Sequence, residues 1–207
     1  MVRWLLIVNV LIYVFQGMSP GYWIINYALW PAGNPGLLQT PEGLARAPAF
    51  HIWQLVSYGF LHGGLSHLFL NLFALWMFGS AIERFWGPLR FSLYYFVCLI
   101  GAGLVQLIAM DLHLRAEGIP YPTLGASGAV FGLLLAFGMM FPNERILLLF
   151  PPVPIKAKWF VLGYGGLELF FGVAGIASNI AHFAHLGGML FGLLLIQFWR
   201  RRFPFSF

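Results

Sequence analysis

Thr123-Leu124-Gly125-Ala126-Ser127-Gly128-Ala129-Val130-Phe131-Gly132 is a glycine-spaced segment that opens a hydrophobic helix and carries one hydroxyl near its start. A serine in an apolar helix is often inert, satisfied by bonding back to the carbonyl one turn earlier. Here Gly125, Gly128 and Gly132 leave one helix face almost without side chains, and close helix approach inside a membrane needs such a face. Another helix can come near Ser127, which therefore reads as a nucleophile. Two segments offer it partners: His67-Leu68-Phe69-Leu70-Asn71 and Ala184-His185-Leu186-Gly187-Gly188-Met189-Leu190-Phe191-Gly192.

Composition sets the class. Of 207 residues, 60% are hydrophobic and 8% charged, which leaves too little polar surface for a soluble globule. The expected fold is all-α, a polytopic membrane protein of one domain over residues 1–207. A net charge of +5 does not indicate nucleic acid, because the basic residues are scattered at the ends of apolar runs, where membrane anchoring explains them. The single cysteine, Cys98, lies in an apolar run without an intrachain partner, so there is no disulfide framework.

Six apolar runs approach the length of about 20 helical residues that a hydrocarbon core demands. They start near Trp4, Leu65, Phe91, Leu124, Trp159 and Ile180, and end near Phe15, Ile82, Met110, Phe141, Val173 and Trp199. The first reads as a signal anchor, closed by a turn at Gln16-Gly17-Met18-Ser19-Pro20. Residues 21–53, rich in proline, glycine and tryptophan, read as an irregular, partly embedded loop. A proline-broken hydrophobic linker is expected over residues 146–158, and a polar connection over residues 111–117.

Orientation follows from the basic residues. With the N-terminus inside, the inner side holds Arg3, Arg84, Arg90, Arg145, Lys156, Lys158, Arg200, Arg201 and Arg202, and the outer side only Arg46 and Arg115. That bias places both termini in the cytoplasm, with the bacterial inner membrane as the expected location. Spans two, four and six then run from outside to inside. His67, Asn71, Ser127, His182 and His185 all fall in the outer turns of their helices, and one leaflet collects the polar groups.

The residue types suggest roles. Acyl transfer by serine needs a base, which His185 supplies if the helices meet closely. Gly188 and Gly192 follow at i+3 and i+7 and bare the same face of span six. His67 and Asn71, at i and i+4, share one helix face, and with the Ser127 backbone N–H they make a candidate oxyanion hole. His62 reads as a support for the loop. Glu168 is an intramembrane carboxylate and so a functional candidate, but its expected partner is a serine or a backbone group. A Ser127/His185 dyad is thus preferred to a triad. His62, His67, His182 and His185 offer a weak zinc signal, because no acidic residue stands beside them in the sequence. The expectation is no metal and no cofactor, with His182 as an interfacial histidine.

Together, Gly125-x-Ser127-Gly128, His67-x-x-x-Asn71 and Ala184-His185-x-x-Gly188-x-x-x-Gly192, with Glu83-Arg84 closing the second span, resemble the rhomboid intramembrane serine proteases. The resemblance covers a core of about residues 53–199. It implies a six-helix bundle, Ser127 as nucleophile, His185 as base and His67 with Asn71 as oxyanion donors. It also implies single-span membrane protein substrates in the lipid bilayer, and a gate formed by span five and the loop after it. Two positions depart from the family pattern. Phe131 stands where members often have a tyrosine stacking on the histidine, and Trp53-Gln54 where many have Trp-Arg in the first loop. The alternatives from other classes are a non-catalytic rhomboid-like protein that binds membrane clients, and a small transporter, for which no inverted repeat is seen.

Overall fold

The computed structural model describes residues 1–33, 36–40, 43–147, 152–175 and 181–202. Helix α1 (Val2–Met18) runs three residues beyond the expected end of the first span, and the turn is confined to Ser19. Gln16, expected in that turn, is instead buried on the helix. Its Nε2 donates to the His62 carbonyl at 2.9 Å, and its Oε1 accepts from the His62 N–H at 3.0 Å.

The loop expected to be irregular contains helix α2 (Pro20–Tyr27), which starts on a proline whose missing N–H is no loss in a first turn. An antiparallel hairpin of β1 (Leu37–Thr40) and β2 (Gly43–Arg46) follows, with Leu37 opposite Arg46. Next come a short helix α3 (Gln54–Ser57) and a 3-10 turn (Tyr58–Phe60).

Helix α4 (Leu65–Ala74) passes through a π turn (Leu75–Gly79) into α5 (Ser80–Glu117). At Gly87, φ is 78°, a conformation glycine adopts freely, and Pro88 restarts the helix behind it. That break separates the second and third expected spans. The polar stretch 111–117 continues α5 as helix, with Arg115 paired to Asp111 one turn back at 2.7 Å.

Helix α6 (Ser127–Met140) is 14 residues long and begins on the serine itself, three residues later than expected. The expected linker forms, at its ends, a second hairpin of β3 (Arg145–Leu147) and β4 (Pro154–Lys156), with Arg145 opposite Lys156. Helix α7 (Ala157–Ala174) ends on a left-handed Gly175, and α8 (His182–Arg202) follows. The loop after span five, to which the resemblance assigns gating, covers residues 176–180 and lies outside the described residues.

Two helical stretches, Leu65–Glu117 and His182–Arg202, are each long and apolar enough to cross a membrane, and Val2–Met18 and Ser127–Met140 are shorter apolar helices. Large apolar side chains point outward, with Leu65, Leu89 and Val173 71%, 83% and 75% exposed. Apolar exposure on this scale suits lipid rather than water. The inward faces of α5, α6 and α8 are kept bare so that the helices can touch. A Cβ on Gly101 would strike the Phe191 ring, and one on Gly187 would lie 2.7 Å from the Val105 Cβ. Tyrosines tie α5 to its neighbours across this contact: Tyr94 donates to the Gly132 carbonyl at 2.8 Å, and Tyr58 to the Leu99 carbonyl at 2.8 Å.

Candidate active site

The glycine faces of α6 and α8 lie backbone to backbone. A Cβ on Gly188 would fall on the Gly128 carbonyl, and one on Gly132 would meet the Cys98 side chain and the Gly188 carbonyl. This approach brings the two helices' side chains together at the start of α6. His185 Nε2 is 2.8 Å from Ser127 Oγ. One turn after the serine, Phe131 stacks on the His185 imidazole, and Tyr164 of α7 stacks on Phe131 at 5.3 Å between centroids.

The other edge of His185 meets a carboxylate. Glu168 Oε2 is 2.6 Å from His182 Nδ1 and 2.9 Å from His185 Nδ1, and all three side chains are buried. Only the His182 contact has the alignment of a hydrogen bond; the His185 contact is close but poorly directed. Among the described residues Glu168 thus meets not the serine or backbone group expected from sequence but two imidazoles of a neighbouring helix, hydrogen-bonding His182 and lying close to His185. His182, expected at an interface, is its buried partner. The missed signal was the lone carboxylate in an apolar run, 14 positions before His182.

His67 and Asn71 approach from α4. The Gly63 N–H donates to His67 Nδ1 at 3.3 Å, which leaves the proton of the neutral ring on Nε2. That nitrogen faces the backbone just before the serine. A Cβ on Gly125 would sit 2.8 Å from His67 Nε2 and 3.7 Å from Ser127 Oγ, and φ at Gly125 is +124°, so a side chain there is excluded both by space and by conformation. Asn71 Nδ2 donates one proton to the His67 carbonyl at 2.9 Å. The buried His62 ring packs edge-on with His67 at 5.2 Å between centroids, and Gln16 holds the His62 backbone.

The residues before Ser127 are anchored from three sides. Leu29 and Thr123 exchange two backbone hydrogen bonds of 2.9 Å, Gly125 donates to the Tyr58 carbonyl at 2.9 Å, and Gln106 Nε2 donates to Thr123 Oγ1 at 3.0 Å. A cavity of about 960 Å³ opens over the cluster, lined by His67, Asn71, Ser127, Tyr164, Glu168 and His185 among others. A hydroxyl, an imidazole and a carboxylate in sequence, beside further donors and an open cavity, are the parts needed for nucleophilic catalysis.

The Rhomboid domain matches residues 49–202 of this chain. The chain belongs to the rhomboid family. It is similar to "Rhomboid protein 1, mitochondrial" of Saccharomyces cerevisiae, 36% identical over 143 residues that make up 68% of this chain and 40% of the yeast protein. It is also similar to "Rhomboid protease GluP" of Bacillus subtilis, 36% identical over 140 residues, 68% of this chain and 24% of that protein. With "Presenilin-associated rhomboid-like protein A, mitochondrial" of Danio rerio it shares 29% identity over 159 residues, 72% of this chain and 39% of the other. The chain thus spans between a quarter and two fifths of the length of these rhomboid relatives. Mitochondrial and bacterial proteins both occur among them, which carries the membrane assignment but not the expected bacterial inner membrane.

Both departures from the rhomboid pattern have a structural outcome. Phe131 keeps the stack on His185 without a hydroxyl. Gln54, where many members have arginine, is fully buried and ties the first loop together: Oε1 accepts from the Trp30 and His51 N–H groups at 3.3 and 3.2 Å, and Nε2 donates to the Asn26 carbonyl at 3.4 Å. Trp53 stacks on His51 at 4.3 Å and donates its indole N–H to the same Asn26 carbonyl at 3.1 Å.

Proposed function

We propose that this rhomboid is an intramembrane serine endopeptidase that cleaves single-span membrane proteins near the outer membrane face, with Ser127 as nucleophile and His185 as base. The observation that carries this reading is the 2.8 Å contact between Ser127 Oγ and His185 Nε2. In the first step Oγ bonds to the scissile carbonyl carbon while its proton passes to Nε2. The carbonyl oxygen takes up the charge, and preorganised donors aimed at that oxygen are usually the largest single source of acceleration. His67 Nε2–H, the second amide proton of Asn71, and the Ser127 N–H serve as those donors. The last is available because the first N–H groups of α6 have no partner within the helix. His185 then returns the proton to the leaving amine, and water repeats the sequence on the acyl-enzyme.

Glu168 extends the expected dyad. A carboxylate oxygen 2.9 Å from His185 Nδ1 favours the tautomer with its proton on Nδ1, which leaves Nε2 free to accept from serine, and it opposes the charge of the imidazolium that forms. Catalytic contacts in the absence of substrate are often poorly aligned and tighten in the complex, so the weak direction of this contact fits the role. In this reading the helices form a six-span bundle over a single domain with both termini in the cytoplasm. Catalysis needs no cofactor, and EDTA leaves it intact.

A fluorophosphonate probe, with cleavage of a tagged single-span reporter in proteoliposomes, tests the proposal. The expected result is a labelled wild type and an unlabelled Ser127→Ala. Capture of the reporter without labelling or cleavage would instead assign the chain to non-catalytic, client-binding relatives.

A further inference from the structure

We propose that Glu168, His182 and His185 also form a site for a divalent cation of the zinc type, and that the bound ion switches Ser127 off. The donors are two imidazole nitrogens and a carboxylate oxygen, all within 4.8 Å of one another. This is a donor set that zinc accepts, and three protein ligands leave a fourth position open. Absence of an acidic residue beside these histidines was the sequence argument against metal, and Glu168 of α7 removes it. His182 and His185 stand on adjacent turns of α8, so the spacing of the nitrogens comes from helix geometry and not from a loop. Zinc bonds of about 2.0–2.2 Å place donors roughly 3.3 Å apart, so the Glu168 contacts of 2.6 and 2.9 Å open by about half an ångström while the two imidazole donors, within 4.8 Å of each other, draw in. Glu168 and His185 line the cavity, which gives an ion a route in and room for a fourth ligand.

The consequence for Ser127 is a matter of one proton. A metal takes the lone pair of His185 Nδ1, so the proton of that neutral ring moves to Nε2, with no change in its charge. Nε2 then faces Ser127 as a donor and has no lone pair to accept the serine proton. Metal binding and base catalysis thus exclude each other at the same imidazole, and the ion acts as a reversible inhibitor. This second half rests on the proposed serine mechanism; binding itself does not.

The test separates the two. Purified, EDTA-stripped protein in detergent is titrated with zinc against a chromophoric zinc indicator, and Ser127→Ala is included because it keeps all three ligands. We expect one zinc per chain for both proteins, and an affinity lowered about tenfold or more in His182→Ala and in Glu168→Gln. Thermal unfolding of each variant without metal shows that it is folded, and a given zinc concentration should raise the Tm of wild type and of Ser127→Ala more than that of His182→Ala and Glu168→Gln. Saturating zinc should slow fluorophosphonate labelling of the wild type at least tenfold, with recovery on adding EDTA. Absence of binding up to about 1 mM zinc, or equal affinity in His182→Ala, would overturn the site. Stoichiometric binding with unchanged labelling would overturn the switch. A wild type that binds zinc but never labels would confirm the site and remove the serine mechanism instead.

Discussion

Phe131 lies flat on the His185 imidazole, with ring centroids 4.1 Å apart and planes 5° from parallel. The stack holds the imidazole by its face and leaves both nitrogens at its edge, one toward Ser127 and the other toward Glu168. Such pairs contribute about 0.5–1.5 kcal/mol beyond the area they bury, and none of that depends on a hydroxyl. Orientation of the His185 imidazole is therefore shared between a ring on α6 and a carboxylate on α7.

Ser127→Ala and His185→Ala should each reduce kcat/KM for reporter cleavage to background, and the double variant should be no worse than either single. Groups that act as a unit lose their joint effect when one is removed. Cleavage assays with matched Tm measurements check this, and substantial activity in His185→Ala would remove it from the role of base.

Asn71→Ala should lower kcat about 10²–10³-fold, roughly 2.7–4 kcal/mol, with little change in KM. In the proposed mechanism this donor acts on charge that develops only in the transition state. An unchanged kcat would restrict Asn71 to the bond it makes with the His67 carbonyl.

Glu168→Gln removes the charge facing His185 and offers an amide that can donate to Nδ1, which puts the imidazole proton on Nε2. We expect kcat to fall about 10²–10⁴-fold, as when a triad carboxylate is replaced by its amide. Steady-state kinetics on the folded variant decides, and a fall of about threefold or less would return the mechanism to a plain Ser127/His185 pair.

Gly188→Ala places a methyl group on the Gly128 carbonyl, a clash of backbone with side chain that no rotamer relieves. A destabilisation of about 1–3 kcal/mol or more is expected, with a larger loss of activity because α6 and α8 must separate at the serine. Gly166→Ala on α7 is the control, since its Cβ meets nothing within 4 Å and should change stability by no more than about 0.5 kcal/mol. Thermal unfolding in detergent reads both.

Gln54→Ala leaves the N–H groups of Trp30 and His51 without their side-chain acceptor. Buried groups stripped of a partner cost about 1–3 kcal/mol each, so the first loop should loosen before the bundle does. Limited proteolysis within residues 28–53 should accelerate several-fold while the Tm of the helical core changes less.

The sequence made legible those parts of the site that lie within single helices. Gly128, Gly132 and Gly188 follow helical spacing, so the faces that meet can be read directly, and His67 and Asn71 are one turn apart on α4. What pairs across helices was harder to see. Glu168 reaches His182 and His185 only because α7 and α8 fold back on each other, and no local pattern encodes that. Turn residues misled in the opposite direction: Gly17 and Pro20 suggested loop, yet α1 absorbs the glycine and α2 starts on the proline. Gln54 was noted as a departure, but its bonds to three backbone groups required the fold of the whole first loop.

Helix α6, with its 14 residues, rises about 21 Å at 1.5 Å per residue, which is about 9 Å short of a hydrocarbon core of roughly 30 Å. Ser127 is its first residue, so in the proposed mechanism, with the other end of α6 at the opposite surface, the hydroxyl begins below the lipid surface and the hydrolytic water has to descend to it. Depth then becomes a kinetic quantity. On that mechanism a thicker bilayer lengthens the path for the water without touching a single side chain, and acyl chain length joins amino-acid sequence in setting how fast a bond would be cut.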